Sequence, residues 1–165
     1  MSDFEDFYRM HAKLIWGLAR SRTTSADQAD DLTQETFLRA WQHFATLAPS
    51  EPLAQRAWLV RTLRNLATDA WRRQRVEAQA RAQAADLPEP RGHAELRLDV
   101  LRALATLAED DRELVVMRYL AQMNSREIGR VLGVPEGTVR RRLAECRAAL
   151  AQRLSQWAPA GGRHA

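Results

Sequence analysis

Apolar residues recur every three or four positions along almost the whole chain, and this spacing limits the possible folds more than any other feature. One face of an α-helix repeats at that interval, whereas a half-buried strand alternates polar and apolar residues in twos. No segment alternates in this way over the length of a strand. The sequence therefore predicts an all-α fold, and 165 residues suffice for one moderate core or two small ones.

Breaks in the periodicity divide the chain into two small helical domains. Residues 76–95 are rich in Ala, Gln and Arg and include two prolines, and they hold too few large apolar residues for a core. Such a composition predicts a flexible linker. The N-terminal domain is then residues 1–75 and the C-terminal domain residues 96–158, followed by a tail, 159–165, that we expect to be disordered.

Capping residues, glycine and proline mark the helix boundaries inside these domains. A hydroxyl cap before several acids favours a helix start, and a proline ends or interrupts a helix. The expected helices run from Asp3 to Arg22, from Thr24 or Ser25 to near His43, from about Leu53 to Arg75, from Leu96 to about Leu104, from about Glu109 to Leu120, from Asn124 or Ser125 to Leu132, and from Pro135 to about Trp157.

Charge and cysteine usage exclude several classes of protein. Basic and acidic residues number 25 and 21, so a nucleic-acid surface has to come from their local placement. Cys146 is the single cysteine and the four histidines are scattered, which excludes an internal disulfide and predicts no metal site and no cofactor. No leader pattern and no apolar run of ~20 residues is present, so we expect a cytoplasmic protein without membrane insertion of its own.

The clearest motif is a predicted helix-turn-helix within residues 125–143. Ser125 is suited to cap a short helix, Gly133 to adopt the left-handed turn conformation, and Val134 to fill the corner before Pro135 starts the next helix. Helices joined in this way insert the second helix into the major groove of DNA. The C-terminal domain is therefore predicted to bind DNA.

Projection of the last helix predicts which of its side chains face DNA. An apolar stripe formed by Val139, Leu143, Cys146, Leu150, Leu154 and Trp157 would face the core. The opposite face carries small residues, which allow close approach, and arginines, which contact base edges or phosphates. The candidate DNA-binding residues are Arg126, Gly137, Thr138, Arg140, Arg141, Arg142 and Arg147. The alternative is that these arginines form only a solvated helix face.

The second predicted helix has an outer face unlike a purely solvated one. This face carries Asp31, Glu35, Leu38 and Gln42, with Gln34 beside it. An exposed leucine among acids and amides favours a protein-docking surface, for which the candidate residues are Asp31, Gln34, Glu35 and Leu38. An ordinary exposed face with one stray leucine is the alternative.

The third predicted helix carries a basic face opposite its buried leucine stripe. Arginines, an amide and indoles together suit contact with a phosphate backbone and stacking of an exposed base. The candidate residues are Trp58, Arg61, Arg64, Asn65, Thr68, Arg72 and Arg75. Equally, the tryptophans could cap the core while the arginines are solvated.

Taken together, the two domains resemble the extracytoplasmic-function group of bacterial sigma factors in the sigma-70 family. Residues 30–41 (DDLTQETFLRAW) look like the family's core-polymerase-binding motif, and residues 57–73 look like its helix that reads and melts the minus-10 element. Segments 118–120, 127–128 and 137–139 look like its minus-35-binding domain. Three motifs in the family's order are more specific than any one of them.

This resemblance implies a role for each predicted surface. The face with Asp31 and Glu35 would bind core RNA polymerase, and the third helix would guide the non-template strand, with a base flipped into the loop from about Phe44 to Leu53. The helix-turn-helix would bind the minus-35 element, about two helical turns away. The resemblance also implies an anti-sigma partner. Ser125 and the Leu107-Ala108 pair depart from the family pattern, which leaves minus-35 specificity open.

Two other functions remain open from the sequence, a stand-alone helix-turn-helix regulator and a sigma mimic that only sequesters an anti-sigma factor. The first would bind an operator without polymerase, and the second would bind no DNA. An enzyme is not expected, because no histidine, nucleophile or glycine-rich loop joins the carboxylates of Asp31 and Glu35.

Overall fold

The computed structural model describes residues 3–80, 100 and 102–157, and all regular structure in these ranges is helical. This confirms the predicted all-α class. The helices are α1 (Asp3–Arg22), α2 (Ala26–Gln42), α3 (Phe44–Leu47), α4 (Pro52–Ala80), α5 (Glu109–Val115), which continues as a π-helix (Val116–Leu120), α6 (Ser125–Leu132) and α7 (Glu136–Trp157). Residues 102–105 are also helical. Below, the N-terminal half means α1 to α4, and the C-terminal half means the described residues from 100 onward.

Most helix boundaries lie where the sequence places them, with three differences. Helix α4 extends to Ala80 rather than to Arg75, because Ala, Gln, Glu and Arg favour a helix. The short α3 was not predicted, since four residues carry no periodicity. Asn124 rather than Ser125 caps α6, and its side chain and that of Glu127 form a reciprocal capping box. The rest of the predicted linker and the whole tail lie outside the described residues.

Two glycines shape the helix-turn-helix. Gly133 ends α6 with φ of 69°, the left-handed conformation that the sequence predicted for it. Gly129 was not singled out, yet a Cβ there would lie 2.6 Å from the carbonyl oxygen of Val134. The backbone of the turn therefore crosses α6 at a distance that only glycine permits.

Each half buries the stripe that its helical periodicity predicts. In the N-terminal half, Leu59, Leu63 and Leu66 of α4 pack beneath α1 and α2. In α7, Val139, Leu143 and Cys146 are buried, whereas Leu154 at the far end of the same stripe is 40% exposed. The core residues of the two halves form one continuous cluster, because the π-helix packs on α1 and α6 packs on α4.

Candidate functional site

The predicted protein-docking face lies along the outer side of α2. Asp31, Gln34 and Leu38 are exposed, and the Leu38 side chain has 52% of its surface open to solvent. Glu35 is half-buried and forms an ion pair with Arg39 one turn later, at 3.1 Å. Ser25 starts α2 by accepting a hydrogen bond from the Gln28 amide, which fixes where these side chains point.

Two aromatic residues that sequence reasoning did not assign adjoin this face. Tyr8 of α1 is 44% exposed and Trp41 of α2 is 56% exposed, and both line a shallow depression with Asp31, Glu35 and Leu38. Trp41 is held in place by the Phe4 ring, whose centroid lies 4.8 Å away in an edge-to-face contact. Contact between α1 and α2 creates this surface, and the spacing within either helix does not reveal it.

The predicted strand-binding face follows the outer side of α4. Arg61, Asn65, Thr68 and Arg72 are exposed along it. Arg75 lies beyond them, with its guanidinium 5.2 Å from the centre of the exposed Trp71 ring. The side of α4 that faces outward is therefore basic and edged by an indole.

Arg64 and Trp58 are less accessible than the rest of the set. Trp58 is half-buried, with its ring 5.7 Å from that of His43. Arg64 points toward the C-terminal half, where its guanidinium lies 3.2 Å from an oxygen of Asp110 and 3.1 Å from one of Glu113. In this structure the charge of Arg64 is therefore already neutralised by partners within the chain.

Two buried polar side chains, those of Gln55 and His11, hold the loop before α4, where the resemblance implies a flipped base. Gln55 donates hydrogen bonds to the carbonyl oxygens of Leu47 and Ser50, both at 3.1 Å. Its own carbonyl oxygen accepts from His11 Nε2 at 3.0 Å. Sequence reasoning missed both residues, although each is a polar interruption on an apolar helical stripe, which is a usable signal.

Burial lowers the pKa of His11 below its ordinary value of 6.5, and the nearby charge of Arg56 acts in the same direction. The hydrogen bond to Gln55 opposes this effect only in part. Because Gln55 offers an oxygen, Nε2 carries the proton, and Nδ1 is buried without a hydrogen-bond partner. His11 is therefore a neutral structural residue beneath the loop.

Helix α7, the second helix of the helix-turn-helix, presents most of its predicted DNA-binding residues outward. Gly137 is exposed, and a Cβ at this position would meet nothing within 4 Å. Arg140 and Arg141 form exposed pairs with Glu136 and Glu145, at 3.3 and 2.8 Å. Such exposed pairs are weak, so neither guanidinium group is fixed by its acidic partner.

Arg142 is oriented differently from its two neighbours in the run. Its guanidinium lies 2.6 Å from the carboxylate of Asp111, and only 26% of its side chain is exposed. This ion pair joins α7 to α5. Of the remaining predicted residues, Arg126 and Arg147 are exposed and Thr138 is half-buried.

The described part of the chain contains no group of three or more His, Cys, Asp or Glu side chains arranged to hold a metal ion. Among the described helices, none combines the length and hydropathy needed to cross a membrane.

Comparison with known families gives two matches in the order of the two halves. Residues 7–77 match sigma-70 region 2, and residues 97–150 match sigma-70 region 4. Among curated proteins, the chain is 34% identical over 142 residues to the ECF RNA polymerase sigma factor SigL of Mycobacterium tuberculosis, covering 82% of this chain and 80% of SigL. It is 30% identical over 166 residues to the RNA polymerase sigma factor CnrH of Cupriavidus metallidurans, covering 92% and 86%.

Two solved structures share the fold. The sigma factor RpoE of Bartonella quintana, solved with the anti-sigma factor NepR, aligns with a TM-score of 0.72 at 25% identity, over 94% of this chain and 98% of that one. CnrH, solved with the cytosolic domain of CnrY, aligns with a TM-score of 0.67 at 27% identity, over 93% and 88%.

The C-terminal half contains a helix-turn-helix, and the N-terminal half has one exposed acidic face and one exposed basic face. Together they define a transcription factor of two functional parts. The chain belongs to the extracytoplasmic-function group of the sigma-70 family. It is an RNA polymerase sigma factor, and the alternative of a stand-alone regulator is not favoured.

Proposed function

We propose that Asp31, Gln34, Glu35 and Leu38 form the surface that binds core RNA polymerase. The observation that carries this proposal is the exposure of Leu38 between acidic and amide side chains, because an apolar anchor inside a polar rim is typical of a protein interface. Tyr8 and Trp41 extend the same surface and add aromatic area next to the anchor.

Substitution of the anchor tests this proposal. We expect Leu38→Ala to weaken binding to purified core polymerase by about tenfold, since a central apolar contact contributes on the order of 1–2 kcal/mol. Met10→Ala is the matched control, because Met10 is 56% exposed on α1 and does not line the depression. Equal affinity of Leu38→Ala and wild type in fluorescence anisotropy would contradict the assignment.

We assign promoter contacts to the two basic surfaces. The α4 face, with Trp58, Arg61, Arg64, Asn65, Thr68, Arg72 and Arg75, would hold the minus-10 strand. The C-terminal set, with Arg126, Gly137, Thr138, Arg140, Arg141, Arg142 and Arg147, would serve the minus-35 element. The domain division at 1–75, 76–95 and 96–158 is part of this proposal.

The balance of energies supports action as a polymerase subunit rather than alone. Each base-pair step of duplex DNA has about 1.4 kcal/mol of stacking, so a few arginines and one flipped base do not offset the melting of an initiation bubble. The chain would thus act as an initiation factor and not as an enzyme. A reconstituted transcription assay with core polymerase on genomic promoter fragments tests this role, and absence of specific transcripts would refute it.

An anti-sigma factor is the further partner that we propose. Both solved relatives are in complexes. RpoE of Bartonella quintana is bound to the anti-sigma factor NepR, and CnrH is bound to the cytosolic domain of CnrY. This chain has an apolar groove suited to a helical peptide, between the π-helix and α7, lined by Val115, Tyr119, Leu150 and Leu154.

A protein that works with polymerase on DNA would reside in the cytoplasm.

A further inference from the structure

One cleft of the molecule gathers four arginines from both halves. Arg61 and Arg64 line its α4 side, Arg130 lines its α6 side, and Arg22, at the end of α1, completes the set. The cleft has a volume of about 540 Å³, within the range of small-molecule binding sites. None of the described residues that line it is acidic. The lining is therefore strongly positive, although basic and acidic residues in the chain number 25 and 21.

Two of the four arginines are neutralised from behind the cleft. The carboxylate of Glu113, which is fully buried, accepts a hydrogen bond from Arg22 Nε at 2.7 Å. Its other oxygen lies 3.1 Å from the Arg64 guanidinium, and Asp110 adds a second contact to Arg64 at 3.2 Å. These ion pairs balance the charge of both guanidinium groups and fix them in position.

Arg61 and Arg130 have no such compensation. Both side chains are exposed, and within the described ranges neither forms an ion pair with a carboxylate. They belong to different halves, so only the tertiary structure brings their positive charges to one cleft. Like charges in a shared cleft repel each other, and an anion between them would replace this repulsion by two attractive contacts.

The other groups in the cleft indicate which kind of anion fits. A guanidinium group matches the geometry of phosphate oxygens and can bind two of them at once. Asn65 is exposed in the same cleft, and its amide can donate to a further oxygen. The described residues of the lining include no aromatic side chain, so a nucleobase would gain no stacking there. The cleft therefore suits a chain of phosphates and not a base.

We propose that this cleft is a binding site for a free oligophosphate, the chemical class of inorganic tripolyphosphate and of the phosphate chain of a nucleoside triphosphate. Arg61 and Arg130 bind it from opposite sides, and Asn65 donates to it. Arg61 and Asn65 also belong to the proposed minus-10 surface, so a bound oligophosphate competes with the promoter strand. Only this competition rests on the proposed function.

A DNA backbone carries the same phosphate chemistry but would use the cleft differently. A strand that follows the outer side of α4 contacts Arg61 and needs nothing from α6. Arg130 lies outside both proposed promoter surfaces, so it distinguishes a compact oligophosphate from DNA.

The first experiment is calorimetric titration of the 165-residue chain with tripolyphosphate at fixed ionic strength. Arg61→Gln and Arg130→Gln each remove one charge from one side of the cleft. Arg153→Gln is the matched control, because it removes the same charge from an exposed position on α7 that does not line the cleft. We expect each cleft variant to bind about tenfold more weakly, as for the loss of one charge-assisted contact, and the control to change affinity by less than about twofold.

Three outcomes of this titration would overturn the site. Absence of binding to wild type is the first. Equal weakening by all three variants is the second, because it would reduce the effect to the general attraction between a basic protein and an anion. Weakening by Arg61→Gln without any effect of Arg130→Gln is the third, since the site would then be one-sided.

Replacement of tripolyphosphate by ATP tests the selection of phosphates over a base. Because the described lining offers no aromatic side chain, the two ligands should bind with affinities within about threefold of each other. Binding of ATP that is more than tenfold tighter would overturn the assignment to a phosphate chain alone.

The last experiment separates the oligophosphate site from the proposed function by using fluorescent single-stranded oligodeoxythymidine as a probe of DNA binding. Tripolyphosphate should displace the probe from wild type, and Arg130→Gln should keep the DNA affinity that Arg61→Gln loses. Equal loss of DNA and tripolyphosphate affinity in Arg130→Gln would overturn a site distinct from the DNA path. Unchanged DNA affinity in Arg61→Gln, with weakened tripolyphosphate binding, would instead overturn the minus-10 assignment and the competition, while the oligophosphate site would stand.

Discussion

His11 illustrates how one buried residue couples the stability of the fold to pH. Its neutral ring supports Gln55, which in turn ties down the carbonyl groups of the loop before α4. Protonation would place a charge in the core and add a donor at Nδ1, where no hydrogen-bond partner is present. The folded state therefore holds the pKa of His11 below its ordinary value of 6.5.

This shift predicts the direction of a pH effect. Because the unfolded chain binds the proton more readily, the contribution of His11 is fully present above pH 6.5 and is lost as the pH falls below that value. Urea unfolding at pH 7.5 and pH 5.5 measures it. His11→Gln, which can still donate to Gln55, should lose less stability between these pH values than wild type, and an equal loss would contradict the prediction.

Two neighbouring arginines in α7 have different surroundings. Arg142 joins α7 to α5 through Asp111, whereas the Arg141 side chain is 64% exposed. We expect Arg142→Ala to lower the free energy of unfolding by about 1 kcal/mol, and Arg141→Ala to change it by less than about 0.5 kcal/mol. In the holoenzyme, Arg141→Ala should instead reduce discrimination among minus-35 duplexes. A larger loss of stability in urea unfolding for Arg141→Ala than for Arg142→Ala, or unchanged discrimination by Arg141→Ala in competition binding, would refute this prediction.

At the scale of elements, the helix-turn-helix depends on a glycine that is invisible to helical periodicity. Gly129 lies inside α6, where glycine weakens a helix, but the Val134 carbonyl group passes directly over it. The Val134 amide also donates to the Gly129 carbonyl oxygen at 2.9 Å, which holds the turn in place. Close packing of the turn against α6 thus outweighs the low helix propensity of glycine.

Two glycines in this motif should respond oppositely to alanine. We expect Gly129→Ala to reduce the free energy of unfolding by about 1–3 kcal/mol, because the obstructing atom belongs to the backbone and cannot rotate away. Gly137→Ala meets open space and should raise it by up to about 1 kcal/mol. Urea denaturation of both variants checks this, and a stabilised Gly129→Ala protein would show that the turn can shift at little cost.

The π-helix is the element that connects the two halves. Residues 116–120 satisfy a helical periodicity in the sequence, yet the wider winding places Val116 and Leu120 against Gly17 of α1. Insertions of this kind are frequent at functional sites. Here the irregular winding coincides with the contact between the N-terminal half and the C-terminal half.

At the scale of the whole molecule, the shared core predicts cooperative unfolding of both halves. Four of the five tryptophans belong to the N-terminal half, so tryptophan fluorescence reports mainly on that half, while circular dichroism reports on all helices. The two unfolding curves of wild type should coincide, as expected for a single transition. In the Gly17→Gln variant the two unfolding curves should separate, because the new side chain would displace the π-helix from α1. Coincident curves for that variant would show that this contact is not what makes the two halves unfold together.

The sequence alone determined the helical class, the helix-turn-helix and the outer faces of α2 and α4, because each of these follows from spacing and capping within one segment. It did not reveal Gly129, the Gln55 network or the aromatic border formed by Tyr8 and Trp41, since these depend on which backbone passes over which side chain. It placed Arg142 at the flank of the outward face of α7, but it still counted Arg142 with Arg141 among the DNA-binding residues. Only packing against Asp111 separates them.

The partnership of Glu113 with Arg22 and Arg64 is likewise a product of tertiary structure. These residues are remote from one another along the chain, and each looks like an ordinary surface charge on its own helix. Periodicity records which face of a helix is apolar, but a buried ion pair depends on desolvation, which only the approach of another helix provides. Each half thus follows from its local sequence, and the packing of one half on the other is decided by the tertiary structure.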